Sequence, residues 1–272
     1  MNTFLNIKDM VVVIRGGGDL ASGIACRLFE SGFRPIMTEL EKPKTVRRTV
    51  SFSSAVFEKE VIIEGIKGVF EDYPFSKYSS KNYIPVVLDT KDKPFDFTGA
   101  DVIVDARMLK ELRNDKFPPA SLKIGIGPGF EAGVDCDFVI ETNRGIDLGR
   151  KIENGKPEKD TGIPGIIAGK GAERVFRSPA EGTVIHDCKI GDLLEQGDLI
   201  AHIGDLEVRA PFKGKIRGLI AEGVFVKRNE KIGDIDPRES VNCFLVSDKA
   251  RAIGGGVLEA ILSHFCFYFK KD

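Results

Sequence analysis

Three glycines follow a run of β-branched residues in VVVIRGGGDLASG, Val11 to Gly23, and an Asp and a helical pattern come next. The spacing Gly16-x-Gly18-x-x-Ala21 is one that a phosphate-binding turn needs. The first glycine makes the turn, the second admits a pyrophosphate to the backbone, and a small third residue lets helix and strand pack closely. The helix N-terminus adds N–H groups and a positive partial charge. Gly17 and Asp19 complete the turn, and Glu39, about twenty residues on, is placed to hold a ribose diol. Asp19 would repel an anion at the mouth, with Arg15 able to offset it. It would equally serve as the N-cap of a plain tight corner. Both readings stand at this stage.

Other polar residues could complete such a site. Arg47 and Arg48 lie in KTVRRTVSFSS with Thr49, Ser51 and Ser53 close behind. Arginine forks and hydroxyls can clamp phosphate. The alternative is a solvated turn before a helix starting near Ser53. Gly127-Pro128-Gly129, in GIGPGF, forces a tight turn with exposed amides after a strand, and Asn143 and Arg144, in ETNRGIDLGR, follow another. Ligands of open α/β sheets bind along the edge where such loops gather. Ordinary loop chemistry is the other reading of both.

Catalytic groups are not evident. None of the three histidines, His186, His202 and His264, has metal-ligand spacing, and no metal site is expected. His186 and Cys188 read as a surface loop. Cys136 stands between Asp135 and Asp137, which blunt a thiol. Cys26 reads as packed on the first helix, and Cys243 could face either way. The five cysteines are scattered, odd in number and without a CxxC pair, as suits a reducing, cytoplasmic setting.

The elements that must position these residues follow from periodicity. Val11 to Ile14 reads as a strand buried on both faces. Leu20, Ile24 and Leu28, with Ala21, Ala25 and Phe29 beside them, make one apolar helix face ending at Gly32. Further strands are expected at Pro35 to Glu39, Pro85 to Leu88, Val102 to Asp105, Lys123 to Ile126 and Phe138 to Glu141. Their alternation with helical or loop segments predicts a parallel sheet covered by helices. The chain of 272 residues, with net charge −1, gives no reason to expect nucleic acid or anionic membranes as partners. The start carries no signal peptide, and no apolar run approaches a membrane span. The tail Phe265 to Phe269 reads as packing on the fold, and Tyr73 to Asn82 fits no motif.

The second half repeats itself. RSPAEGTVIHDCKIGDLLEQGDLIAHI aligns with RAPFKGKIRGLIAEGVFVKRNEKIGDI at a constant offset of 32 residues. Arg177 meets Arg209, Pro179 meets Pro211, Gly182 meets Gly214, and Gly197 meets Asn229, both tolerant of the left-handed region. Two such halves can interleave around a shared core. The pattern resembles biotinyl and lipoyl carrier domains, but the hairpin tip is Gly204-Asp205, without a lysine, so covalent biotin or lipoate is not expected. The polar stretch Lys151 to Gly165 reads as a linker. Ser247 to Leu262 reads as a capped helix in which Gly254, Gly255 and Gly256 cost stability that close packing should offset.

VVVIRGGGDLASG, EKPKTVRRTVSFSSAVFE, GIGPGFEAG, IETNRGIDLGR, DTGIPG and SDKARAIGGGVLEAIL together resemble the YqeB-type accessory proteins of selenium-dependent molybdenum hydroxylases. The resemblance covers nearly the whole chain. It implies a part in the maturation or cofactor supply of those hydroxylases, with the hydroxylase or its maturation proteins as partners and, as ligand, a cofactor of the molybdopterin dinucleotide type or a nucleotide used in making one. It carries over no catalytic residue. The expected architecture is α/β: a Rossmann-like parallel-sheet domain over 1–165, a small all-β barrel-sandwich hybrid over 172–237, and a C-terminal strand and helix over 238–272. Two other functions stay open, an NAD(P)-dependent oxidoreductase and a scaffold with an empty glycine turn. A homo-oligomer also stays open.

Overall fold

The computed structural model describes residues 7–72, 82–109, 116–160, 162 and 164–267, the last two without their side chains. Most of Tyr73 to Asn82, parts of the expected linker and the end of the tail lie outside the described residues. The chain divides into two compact units. One comprises Met1–Glu41, Phe52–Asp160 and Val246–Asp272, and the other Lys42–Ser51 and Thr161–Leu245.

The first unit is built on a nine-stranded sheet. Its strands are β1 (Val11–Arg15), β2 (Arg34–Glu39), β3 (Glu60–Ile63), β4 (Ile66–Phe70), β5 (Ile84–Leu88), β6 (Val102–Asp105), β7 (Leu122–Ile126), β8 (Phe138–Ile140) and β9 (Lys151–Ile152). The order is β3-β4-β5-β2-β1-β6-β7-β8-β9. Strands β4 to β8 in that order, through β1 and β2, are all parallel, and only the edge strands β3 and β9 run antiparallel. The start of the expected linker is therefore an edge strand. Connections leave β1 to one side through β2 and later to the other through β6.

Every residue of β1 is buried, so alternate side chains feed two cores. Val12 and Ile14 join Met37, Val86 and Val104 under helix α1 (Asp19–Glu30) and helix α3 (Asp248–Phe267). Val11 and Val13 join Ile36, Val87 and Ile103 on the opposite face, covered there by Phe95, Phe97, Ala100 and Phe117. Among the described residues that second face is covered by irregular chain rather than by helices, which departs from the expected pattern. The apolar run was legible, but the cover comes from aromatic side chains in loops.

Helix α1 ends in a Schellman motif. Phe33 N–H donates to Leu28 O and Gly32 N–H to Phe29 O, with Gly32 at φ +93°. Ser247 caps α3, its hydroxyl accepting from Ala250 N–H at 3.2 Å. The helix near Ser53 is a single turn, α2 (Ala55–Glu58), preceded by two 3-10 turns. The glycines of α3 let it approach its neighbours. A Cβ on Gly254 would lie 2.9 Å from Gly23 O, and one on Gly256 would lie 2.1 Å from Gly149 O, while Ala250 would meet a Cβ on Gly23 at 2.6 Å. Gly255 faces open space.

The second unit contains two four-stranded sheets, built from β10 (Val175–Arg177), β11 (Gly182–His186), β12 (Leu193–Leu194), β13 (Leu199–Ile203), β14 (Leu206–Arg209), β15 (Gly214–Leu219), β16 (Phe225–Val226) and β17 (Lys231–Asp236). Their orders are β10-β17-β15-β12 and β14-β13-β11-β16. Moving each strand by 32 residues converts one order into the other. The symmetry reaches individual bonds. Arg177 donates to Asn229 O at 3.0 Å and Arg209 to Gly197 O at 2.7 Å, with Asn229 and Gly197 both at positive φ. The two halves share one core, including Ile200, Ile203, Ile232 and Ile235. Among the described residues no strand forms between Asp236 and α3, where a C-terminal strand was expected. Residues up to Leu245 go with the second unit, and α3 with the first.

Substituting Gly255 with Ala should stabilise the protein by about 1 kcal/mol, since it gains helix propensity without a clash. Gly256→Ala should lower the midpoint of urea unfolding, because its methyl meets a backbone carbonyl. Equal midpoints for the two variants would overturn this account of the helix.

Candidate functional site

The carboxyl edge of the parallel sheet gathers the predicted loops of the first unit. The glycine turn leaves β1, Glu39 ends β2, Gly127 to Gly129 follow β7, and Asn143 and Arg144 follow β8.

The backbone of one residue organises the turn. Gly17 N–H donates to Glu39 Oε2 at 2.8 Å. Its carbonyl accepts from Ser53 N–H at 2.9 Å and from the Ser22 hydroxyl at 3.2 Å. A Cβ on Gly17 would lie 2.9 Å from Ser53 N and 3.1 Å from Glu39 Oε2, so glycine is required there. Gly16, at φ +97°, brings the chain within 3.3 Å of Ala106 O by the same measure. Gly18 is the N-cap and Asp19 the first residue of α1, so the helix begins one position earlier than expected. Extended backbone at Gly18 needs no side chain, and Asp19 then complements the helix dipole.

Glu39 holds two amides, Gly17 N–H and, through Oε1, Leu40 N–H at 2.7 Å. Burial pushes its carboxyl above the ordinary glutamate range against the pull of these two donors. A carboxylate has about four acceptor positions, so two donors do not exhaust it.

Arg15 stands among acidic and aromatic partners. It is buried, 3.2 Å from Asp105 and 4.0 Å from Asp89, with its guanidinium carbon 5.4 Å from the Phe97 ring centre. Arg107 also pairs with Asp105, its Nε donating at 2.9 Å. Beyond β7, Gly127 at φ +71° would place a Cβ 2.5 Å from Thr142 Oγ1. Gly129 also lies at positive φ, and Pro128 sits between them. Beyond β8, the buried Glu141 carboxylate accepts from the amides of Thr142, Asn143 and Glu158 at 2.6, 2.7 and 2.7 Å. Asn143 donates to Glu158. Arg144 makes a bidentate pair with Asp248 at 2.7 and 2.9 Å, joining this loop to the start of α3.

Sequence reasoning missed Lys249. It sits half-buried in the first turn of α3. Burial lowers its pKa below the ordinary lysine range, opposed by Asp19, Asp160 and Glu141 and aided by Arg144. The helix start at Ser247 was legible, but nothing in the sequence brings that start beside the start of α1. Glu64 was missed as well. Its carboxylate accepts from Val246 N–H at 2.8 Å and pairs with Arg251, which anchors α3.

Arg47 and Arg48 belong to the second unit, not to the unit of the glycine turn. Arg48 Nε donates to Leu219 O at 2.7 Å and Arg47 to Leu245 O at 3.3 Å, with Arg47 buried rather than solvated. His186 ends strand β11, not a loop, with Nε2 2.8 Å from Ile220 O. Cys26, Cys136 and Cys188 are pushed up to about 12, mainly by burial, and for Cys136 only secondarily by Asp135 and Asp137. Cys243 is buried. Among the described residues no group of three or more His, Cys, Asp or Glu could hold a metal ion, and no helix is long and apolar enough to cross a membrane.

No protein-family model matches the chain. Over 255 residues, 93% of its length, it is 46% identical to the protein named "Uncharacterized protein YqeB" of Escherichia coli (strain K12). The chain spans 47% of that relative's length, about half.

The lowered Lys249 pKa sets a sign. The folded chain sheds this proton before the unfolded chain does, so the wild type should gain stability over Lys249→Met as pH rises from 7 towards about 10. Melting temperatures of both proteins across that range test it, and a constant difference would reject it.

Proposed function

From the likeness that supports a place for this chain in the YqeB family, we propose that it is an accessory protein in the maturation or cofactor supply of selenium-dependent molybdenum hydroxylases. Its first unit is a Rossmann-like domain that binds a nucleotide-bearing ligand of the molybdopterin dinucleotide type. Its second unit, a barrel-sandwich hybrid without a carrier lysine, docks on the hydroxylase or its maturation proteins. The observation that carries the reading is the strand order. The run β5-β2-β1-β6-β7-β8 switches direction at β1, and ligands of such sheets bind in the crevice at the carboxyl ends beside that switch. The glycine turn and Glu39 lie there.

The residues fit a nucleotide in three ways. Gly16 and Gly17 turn their Cβ directions into the protein, against Ala106, Arg107, Ser53 and Glu39, so the turn carries no side chain of its own to stand between a ligand and its backbone. Amides in the first turn of α1 lack intrahelical acceptors and can receive a phosphate. Glu39 is fixed by two amides and keeps acceptor capacity for a ribose diol. A carboxylate there repels a 2′-phosphate, so the same geometry supports NAD over NADP in the oxidoreductase reading. Gly127 to Gly129, Asn143 and Arg144 would line the far part of the crevice. The cofactor would bring its own metal chemistry, and the chain's residues would hold its nucleotide end and exclude water.

Native mass spectrometry of protein isolated from its own source tests this. A bound molybdopterin dinucleotide supports cofactor handling, whereas bound NAD would favour the oxidoreductase. Thermal shifts add a second test, since a ligand specific for the native state must stabilise it. Glu39→Gln should weaken ribonucleotide binding about tenfold or more and leave 2′-deoxyribonucleotide binding nearly unchanged. Equal losses for both would remove Glu39 from the ribose.

A further inference from the structure

The internal repeat gives the second unit its own control. Positions 32 residues apart occupy matching places, so a feature in one half can be compared with its mate. Three charged residues break the match. Arg174 corresponds to Leu206, Arg217 to Ile185, and Asp234 to His202. Strands β11 and β13 pair in continuous register without any charged trio, whereas β15 and β17 carry one and shift register at Arg217. The mate pair shows that this strand frame can be built without the cluster.

The cluster is built and buried. Arg174 donates to Asp234 Oδ2 at 3.0 Å and to Gly165 O at 3.1 Å. Arg217 lies 3.8 Å from Asp234 Oδ1. The side chains of Arg174, Asp234 and Arg217 are 4%, 9% and 17% exposed, so the site opens to solvent on the Arg217 side. Arg217 is the extra residue of a bulge between Ile216 and Gly218, a bulge that β11 lacks. Two guanidinium groups thus share one carboxylate, which leaves a net positive charge. Asp236 beside them is taken by Arg238, at 2.9 and 2.8 Å.

Hydrogen bonding is incomplete in a specific way. Arg174 Nε, Arg217 Nε and Asp234 Oδ1 are buried and have no hydrogen-bond partner among the described residues. Buried polar atoms left in this state are costly. The set amounts to two donors, one acceptor and one excess positive charge. A small anion that both accepts and donates satisfies all four conditions.

We propose that Arg174, Arg217 and Asp234 form a binding site for a protonated tetrahedral oxyanion of one negative charge, dihydrogen phosphate or a singly protonated phosphate monoester. The arginine Nε–H groups donate to its oxygens, and its hydroxyl donates to Asp234 Oδ1. This site lies in the second unit and is separate from the nucleotide reading of the glycine turn.

Calorimetric titration of the full chain with inorganic phosphate, glycerol phosphate and sulfate tests it. At about pH 6, where phosphate and its ester both carry a proton, either should bind at least about tenfold more tightly than sulfate, which has none for Asp234. Arg217→Gln should abolish that binding while shifting the melting temperature of the protein little, because Arg217 is the most exposed of the three. Arg217→Lys should retain part of it. A nucleotide bound at the glycine turn should be unaffected by either change, which separates the two sites. Absence of phosphate binding would show that the cluster holds only water and overturn the proposal. Equal affinity for sulfate, or full binding by Arg217→Gln, would overturn it too.

Discussion

The first unit depends on the backbone of Gly17. Its N–H and C=O tie together the end of β1, the end of β2 through Glu39, the start of α1 through Ser22, and the chain at Ser53. Ser22 extends the tie, since its Oγ also accepts from Phe52 N–H at 2.8 Å. No side chain can make these connections, because a Cβ would displace the groups that close them. A glycine turn that reads as an opening for a ligand is thus first a junction of four segments. Under the proposed function, a ligand would meet what the junction holds in place: a carboxylate at one end and the first turn of a helix at the other.

A second close contact sets the rest of the crevice. Gly23, Ala250 and Gly254 let α1 and α3 touch backbone to backbone, and Gly256 seats α3 on the loop after β8. Close packing of this kind fixes register, because neither partner can slide without a clash. It places Asp248 opposite Arg144 and sets Lys249 in the field of Asp19 and Glu141.

Local pattern was legible where a single segment decides it. The apolar run of β1, the Gly32 stop, the Ser247 cap and the offset of the repeat all depend on neighbours within a few residues or on self-comparison. What was not legible depends on distant segments meeting. Arg47 and Arg48 look like a clamp because of their own chemistry, and nothing local in the sequence shows that they fall in the other unit from the glycine turn or bond the carbonyls of Leu245 and Leu219. Lys249, Glu64 and Asp105 carry no local signal, since an isolated charged residue reads as surface until its neighbours are known. The three glycines of α3 announced a close approach that only Gly254 and Gly256 make, and they did not name Gly23 and Gly149 as the partners.

The strand exchange in the second unit has a consequence for how such a module can arise and assemble. In each sheet the inner pair comes from one half and the outer strands from the other, so neither half owns a complete sheet. A half on its own leaves both edges of its inner pair open, and the strands that would close them are those of its twin. A chain carrying one half is therefore already one subunit of a twofold dimer, and joining two copies in tandem turns that dimer into a monomer without changing a single strand pairing. The same logic lets either member of a matched pair drift while its mate keeps the frame, and the charged trio draws on both halves, Arg174 from the first and Arg217 and Asp234 from the second.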